Sequence, residues 1–158
     1  MNVTYITLVG RSDWAVVNSF WAILHHTGAV PTNIHVIYKT NDRERAERGI
    51  GGIREILSKK KIDADIETHE IEDMYDIMEG GRKVEEICKD HEDIILDITP
   101  ARKAMASGAV ISGIKNDIDR VFYLYIDSVE GGDRPYLDIP LPRQDLVEMI
   151  RNEHHVKD

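Results

Sequence analysis

Apolar runs separated by helix-length polar segments constrain this chain more than any other feature. The runs at residues 3–9, 34–38, 62–71, 94–98 and 121–126 alternate with helical patterns at 13–27, 42–60, 72–91 and 100–115. That order is expected of parallel strands joined by crossover helices. A further helix is expected near 143–153, after the breaker Pro140-Leu141-Pro142. Between the run at 121–126 and the short apolar stretch 136–139 too few residues intervene for a crossover helix, which predicts an antiparallel hairpin. The class is α/β: a mostly parallel sheet with flanking helices and a C-terminal antiparallel β-hairpin.

A chain of 158 residues with 42% hydrophobic content can bury one respectable core, so residues 1–158 are expected to form a single domain. The lone Cys88 can make neither an internal disulfide nor a cysteine metal site. No signal peptide, lipidation motif or membrane-length apolar run is present, and a cytoplasmic location away from membranes is expected. The formal net charge of −9 argues against a broad surface for duplex nucleic acid, which is bound through many phosphate contacts. A small anionic ligand in a local basic pocket remains compatible with it.

In open sheets of this kind ligands bind beyond the carboxyl ends of the strands, where the strand order reverses. The first and fourth strands are expected to be neighbours there, which selects two strand-to-helix loops. In the first, Gly10, Arg11, Ser12 and Asp13 combine a tight turn, a cation and two candidate helix caps. The second follows Asp97 and Ile98 and runs through Thr99, Pro100, Ala101, Arg102 and Lys103. A helix starting at Pro100 places Arg102 and Lys103 in its first turn, where the helix dipole disfavours cations unless an anion joins them. A phosphate is the natural companion. The ligand-free alternatives are that Thr99 caps the helix before Pro100, that Ser12 and Asp13 cap theirs, and that Arg102 and Lys103 reach back to Asp97 or out to water.

Several other patterns are set aside. Gly10 alone does not make the dinucleotide fingerprint, and no phosphate loop of the Gly-x-x-x-x-Gly-Lys-Ser/Thr type occurs. Gly49, Gly51 and Gly52 lie inside one helical segment, and Gly80 and Gly81 inside the next; they are expected to break or kink those helices. Of the seven histidines, His25-His26 and His154-His155 are adjacent pairs that face apart on a helix, and no zinc spacing appears, so no metal ligand and no cofactor are assigned. Cys88 reads as a small apolar filler, and Trp14 and Trp21, seven apart, as a packing stripe. Ala104, Gly108 and Ser112 form a stripe of small side chains that lets another backbone approach, either within the chain or across a dimer.

The segment Asp97-x-Thr99-x-Ala101-x-Lys103, with Gly10-Arg11-Ser12 on the corresponding turn of the first strand, resembles the CARF family, the CRISPR-associated Rossmann-fold domains that sense cyclic oligoadenylates. The resemblance covers nearly the whole chain, and the terminal hairpin fits it. The motif is similar to the family's Thr-x-Gly-x-Lys, with Ala101 standing in place of the usual glycine.

The resemblance implies a Rossmann-like domain in a two-fold homodimer whose paired loops make one groove for cyclic tetra- or hexa-adenylate, the second messenger of type III CRISPR defence. It implies ligand contacts from Gly10, Arg11, Ser12, Asp13, Thr99, Pro100, Ala101, Arg102 and Lys103. If the chain is a ring nuclease, Lys103, Ser12 and Arg102 are the catalytic residues and no metal is needed. A non-catalytic sensor using the same residues, and a generic Rossmann-like nucleotide-binding protein, are the alternatives.

Overall fold

In a computed structural model, residues 2–72, 77–127 and 132–151 are described. The strands are β1 (Val3–Leu8), β2 (Pro31–Lys39), β3 (Asp65–Ile71), β4 (Ile94–Asp97), β5 (Arg120–Ile126) and β6 (Gln144–Arg151). The helices are α1 (Asp13–Thr27), α2 (Arg43–Lys60), α3 (Ile77–Asp90) and α4 (Lys103–Lys115). One six-stranded sheet runs in the order β3-β2-β1-β4-β5-β6. All neighbours are parallel except β5 and β6. The order reverses between β1 and β4, as expected, so their carboxyl ends flank the switch point.

Each face of the sheet buries its own cluster. Val16, Phe20 and Ile23 of α1 and Ile50, Ile53 and Leu57 of α2 cover Tyr5, Ile34 and Val36 on one face. Val84 and Ile87 of α3 and Met105 and Ala109 of α4 cover Ile6, Leu8, Ile37 and Leu96 on the other. Strands buried on both faces lose their alternation, which is why the central runs read as continuous apolar sequence.

The glycine-rich helices do not break. α2 continues through Gly49, Gly51 and Gly52, and α3 through Gly80 and Gly81. A Cβ at Gly52 would lie 2.3 Å from a methyl of Val17, and one at Gly81 would lie 2.7 Å from the carbonyl oxygen of Gly108. These glycines therefore set the distance between paired helices, and the small stripe on α4 is taken up by α3 of the same chain.

The C-terminal expectation is corrected in two places. Residues 144–151 form a strand, not a helix; their burial alternates, with Leu146, Glu148 and Ile150 turned toward the protein. Because Val147 and Met149 are also apolar, the segment satisfies a helical period as well as a strand period, and pairing with β5 decides between them. The hairpin exists, but its second arm is β6. The stretch expected to supply that arm contains a 3-10 turn, Tyr136–Asp138, which buries Tyr136 against Ala22 and Leu124. Residues 73–76 of the third helical segment and 152–153 of the expected last helix lie outside the described residues.

Candidate functional site

Asp97, the last residue of β4, is fully buried and organises the switch point. Its Oδ2 accepts hydrogen bonds from the Tyr5 hydroxyl of β1 at 2.6 Å and the Ser19 hydroxyl of α1 at 2.5 Å. Its Oδ1 accepts one from the Thr99 backbone N–H at 3.0 Å. Burial pushes its carboxyl above the ordinary aspartate range, while the hydrogen bonds from Ser19, Thr99 and Tyr5 pull in the other direction. The same burial, with the neighbouring Asp97, raises the Tyr5 phenol. Enclosed in this way, Asp97 holds the end of β4, the core of β1 and the start of the following turn in one arrangement.

The two loops chosen from the sequence touch. A Cβ added at Gly10 would lie 2.3 Å from the Pro100 carbonyl oxygen and 2.9 Å from the Arg102 nitrogen. Only glycine lets the first loop lie directly against the backbone of the second. The Thr99 hydroxyl accepts the Leu124 backbone N–H at 2.9 Å and ties this turn to β5. Ala101 N–H closes the turn on the Ile98 carbonyl at 3.2 Å.

The second helix boundary differs from expectation in a way that changes the site. The helix begins at Lys103, with Arg102 as the cap residue in an extended conformation, so Thr99 and Pro100 lie in the preceding turn and Thr99 caps nothing. No side chain caps α4, and its first turn carries no acidic residue. α1 is the opposite case: Ser12 Oγ accepts the Ala15 N–H at 3.2 Å, and Asp13 accepts the Trp14 N–H at 3.0 Å. Burial pushes the Asp13 carboxyl up, but the hydrogen bonds from Arg48 and from the Trp14 N–H outweigh it and the pKa is lowered. Of the two helix N-termini at the switch point, α1 is satisfied from within and α4 is open to an outside anion.

The cations at these loops also separate into two kinds. Arg102 does not reach Asp97; it grips the buried Asp42, with Nη2 to Oδ1 at 2.8 Å and to Oδ2 at 3.1 Å and Nε to Oδ2 at 3.3 Å. Asp42 also receives Arg45 Nη1 at 2.6 Å. Arg48 pairs with Asp13 at 2.6 Å. Arg11 and Lys103 are both exposed and have no ion-pair partner among the described residues. Asp42 was not singled out from the sequence, because an acidic residue at the start of a helix reads as a cap until the fold brings Arg102 to it. A small cleft of about 80 Å³ lies between Lys39, Thr40, Asn41, Asp42, Glu72 and Arg102.

A larger concavity of about 690 Å³ opens at the opposite ends of the strands, lined by Asp90, Glu92 and Asp93 among others. Its carboxylates suit no anionic ligand.

Comparison with known proteins adds the fold. The chain is similar to Can2 from Sulfobacillus thermosulfidooxidans, whose structure is in complex with cyclic tetra-adenylate. The TM-score is 0.58 and the identity 19%, over 81% of this chain and 33% of that one. The two share a fold, a Rossmann-like α/β sheet that is mostly parallel and ends in an antiparallel pair, as the sequence led one to expect. This chain spans about a third of the length of Can2. No family profile and no curated protein matches the sequence. Among the described residues, no helix is long and apolar enough to cross a membrane.

Proposed function

We propose that this chain binds cyclic oligoadenylate, tetra- or hexa-adenylate, at the paired loops of a homodimer and cleaves it without a metal. The observation that carries the reading is the contact between Gly10 and the 100–102 backbone, which sets exposed Arg11 and Lys103 beside the uncapped N-terminus of α4. An anionic phosphate there gains the helix N–H groups, the dipole and two cations that no carboxylate among the described residues neutralises. The likeness in fold to a protein bound to cyclic tetra-adenylate supports the same reading.

The cleft beside Arg102, at about 80 Å³, is far smaller than the roughly 300–1,000 Å³ of ordinary small-molecule sites. A nucleotide ring needs walls from a second copy. A face for that copy is present: Tyr123, Tyr125, Val147 and Met149 are exposed on one side of the β5–β6 ribbon, and Ile111 and Ile114 are exposed on α4. Val121, next but one to Tyr123 and so on the same side, belongs to the cluster that α4 covers.

In the cleavage step a ribose 2′-oxygen attacks its neighbouring phosphorus as the P–O5′ bond breaks. The 2′-hydroxyl proton leaves and the 5′-oxygen takes one up, giving a linear product ending in a cyclic phosphate. Lys103 and the α4 N–H groups stabilise charge on the phosphoryl oxygens. Ser12 accepts the Ala15 N–H and keeps its own hydroxyl proton to orient the phosphate. Arg102, held by Asp42, positions the turn.

The sensor reading has its own support: Ser12 and Arg102 are both engaged within the protein, which favours holding a ring over bending it. Incubation with radiolabelled cyclic tetra- and hexa-adenylate in EDTA, followed by gel shift and chromatography, separates the two. Linear products establish cleavage, and a retained intact ring establishes the sensor. Failure to bind either ring refutes both. Lys103→Ala is expected to weaken binding at least about 10-fold, the loss of one charge-assisted contact, while leaving the melting temperature unchanged because Lys103 is exposed. Equal binding by that variant refutes the site assignment.

A further inference from the structure

The parallel register of β2 and β3 brings together residues that are 34 apart in sequence. His35 stands opposite Glu67, and His69 follows two residues along the same face of β3. His35 Nδ1 and His69 Nε2 lie 2.9 Å apart, and His35 Nδ1 is 3.8 Å from Glu67 Oε2. One ligand atom from each of the three residues falls within 4.8 Å of the others. We propose that His35, Glu67 and His69 form a binding site for a transition-metal cation of the zinc class.

The donor set is that of an open zinc site: two imidazoles and one carboxylate, with a position left for water. A tetrahedral metal about 2.0–2.1 Å from each nitrogen separates them by about 3.3 Å. The observed pair therefore has to open by only a few tenths of an ångström. His35 is buried and its Nε2 has no hydrogen-bond partner. Its Nδ1 meets His69 Nε2, so one proton lies between the two rings, and a cation takes the place of that proton. The His91 ring packs edge-on against His35, with centroids 4.8 Å apart, and limits its tilt. Glu67 is largely exposed, which leaves a path for the ion to enter.

No zinc spacing is visible in the sequence because the ligands come from two strands joined only through their register. A cation here would clip the edge strand β3 to β2. The site lies on β2 four residues before Lys39 and does not depend on the ligand reading of the switch point.

The test is titration of EDTA-treated, dialysed protein with Co²⁺, read by the visible bands of tetrahedral cobalt, and then displacement by Zn²⁺. Wild type is expected to take one equivalent per chain. Glu67→Gln is expected to weaken binding at least about 10-fold, and His69→Ala to abolish the tetrahedral bands. Circular dichroism checks that both variants fold; if His69→Ala does not, the exposed Glu67→Gln carries the comparison. Absence of tetrahedral bands in wild type overturns the proposal. So does undiminished binding in the folded variants, which would place the metal on surface histidines such as His25 and His26.

Discussion

Replacing Asp97 tests whether a buried carboxylate organises the switch point. Asp97→Ala removes the acceptor for the Tyr5 hydroxyl, the Ser19 hydroxyl and the Thr99 N–H, and for a long contact from the Thr7 hydroxyl at 3.5 Å. Ser19 has a second acceptor, the Ala15 carbonyl at 2.7 Å, so its hydroxyl can turn away without loss. Tyr5 and Thr99 are left with buried, unpaired donors at about 1–3 kcal/mol each. The expected cost is therefore about 2–6 kcal/mol. At roughly 2–4 °C per kcal/mol for a chain of this size, a mid-range loss of about 4 kcal/mol lowers the melting temperature by roughly 8–16 °C. Asp97→Asn should behave differently. Its carbonyl can accept from Thr99 while its amide donates to Ser19 Oγ, whose proton goes to Ala15, and a buried charge is removed. The amide offers no acceptor to the Tyr5 hydroxyl, so the cost should be about 1–3 kcal/mol, below that of alanine because Thr99 keeps its acceptor and the buried charge is gone. The pH dependence supplies a second readout. Burial raises the folded-state pKa of Asp97, so the folded chain holds this proton more tightly than the unfolded chain. The contribution is present below the unfolded pKa and is lost as pH rises through the raised value. Asp97→Asn should lose that component of the stability profile. Urea denaturation across a pH series measures both. An alanine variant within 1 kcal/mol of wild type, or an asparagine variant as unstable as alanine, refutes the account.

Three further outcomes follow from the packing. Gly10→Ala puts a Cβ 2.3 Å from the Pro100 carbonyl oxygen; forced separation of the loops should cost about 1–3 kcal/mol and weaken ring binding more than Lys103→Ala does. Gel shift and urea denaturation measured together would expose the error if both were unchanged. Gly81→Ala, with a Cβ 2.7 Å from the Gly108 carbonyl oxygen, should push α3 from α4 and lower stability by about 1–3 kcal/mol without altering ligand affinity per folded molecule. Burial pushes the Cys88 thiol up to about 11. Its reaction with a disulfide reagent at pH 8 should therefore be at least about 100-fold slower in the native protein than in urea, because the thiolate is the reactive form. Equal rates would mean that the helix opens readily.

The sheet was legible because crossover helices force a coarse alternation that survives errors at every boundary. β1 through β5 and all four helices are where periodicity placed them, within a few residues. What failed were cases in which tertiary contact chooses between two local options. The apolar residues of Gln144–Arg151 fit both periods, and only the open edge of β5 makes the segment a strand. Glycine inside a helix signals a break when read locally and a close helix crossing when a partner is present, as Val17 and Gly108 show. In the site, the neighbouring placement of the two loops was legible from topology, and the backbone contact at Gly10 was not. The Asp42–Arg102 pair and the His35–Glu67–His69 cluster were not, since each joins segments whose distance in sequence carries no periodic signal.

The different fates of Arg102 and Lys103 follow from where the helix starts. Had α4 begun at Pro100, both cations would lie in its first turn, and one anion would serve both. With Arg102 as the cap residue, its extended backbone directs the side chain toward the 3-10 turn that follows β2, where Asp42 waits already buried and paired with Arg45. A buried carboxylate without cations costs several kcal/mol, so Arg102 is committed to the protein whether or not a ligand is present. Its guanidinium, with two nitrogens on one carboxylate, fixes the turn more rigidly than a lysine ammonium would. Lys103, one residue later, is the first helical residue and has no such partner among the described residues. On the proposed reading the neighbouring cations divide the work: Arg102 holds the turn against Gly10, and the helix N-terminus with Lys103 keeps its positive potential for a phosphate. On this division Arg102→Lys damages binding through the shape of the turn, and Lys103→Ala damages it through charge. Raising salt should therefore narrow the gap between wild type and Lys103→Ala while leaving the deficit of Arg102→Lys in place.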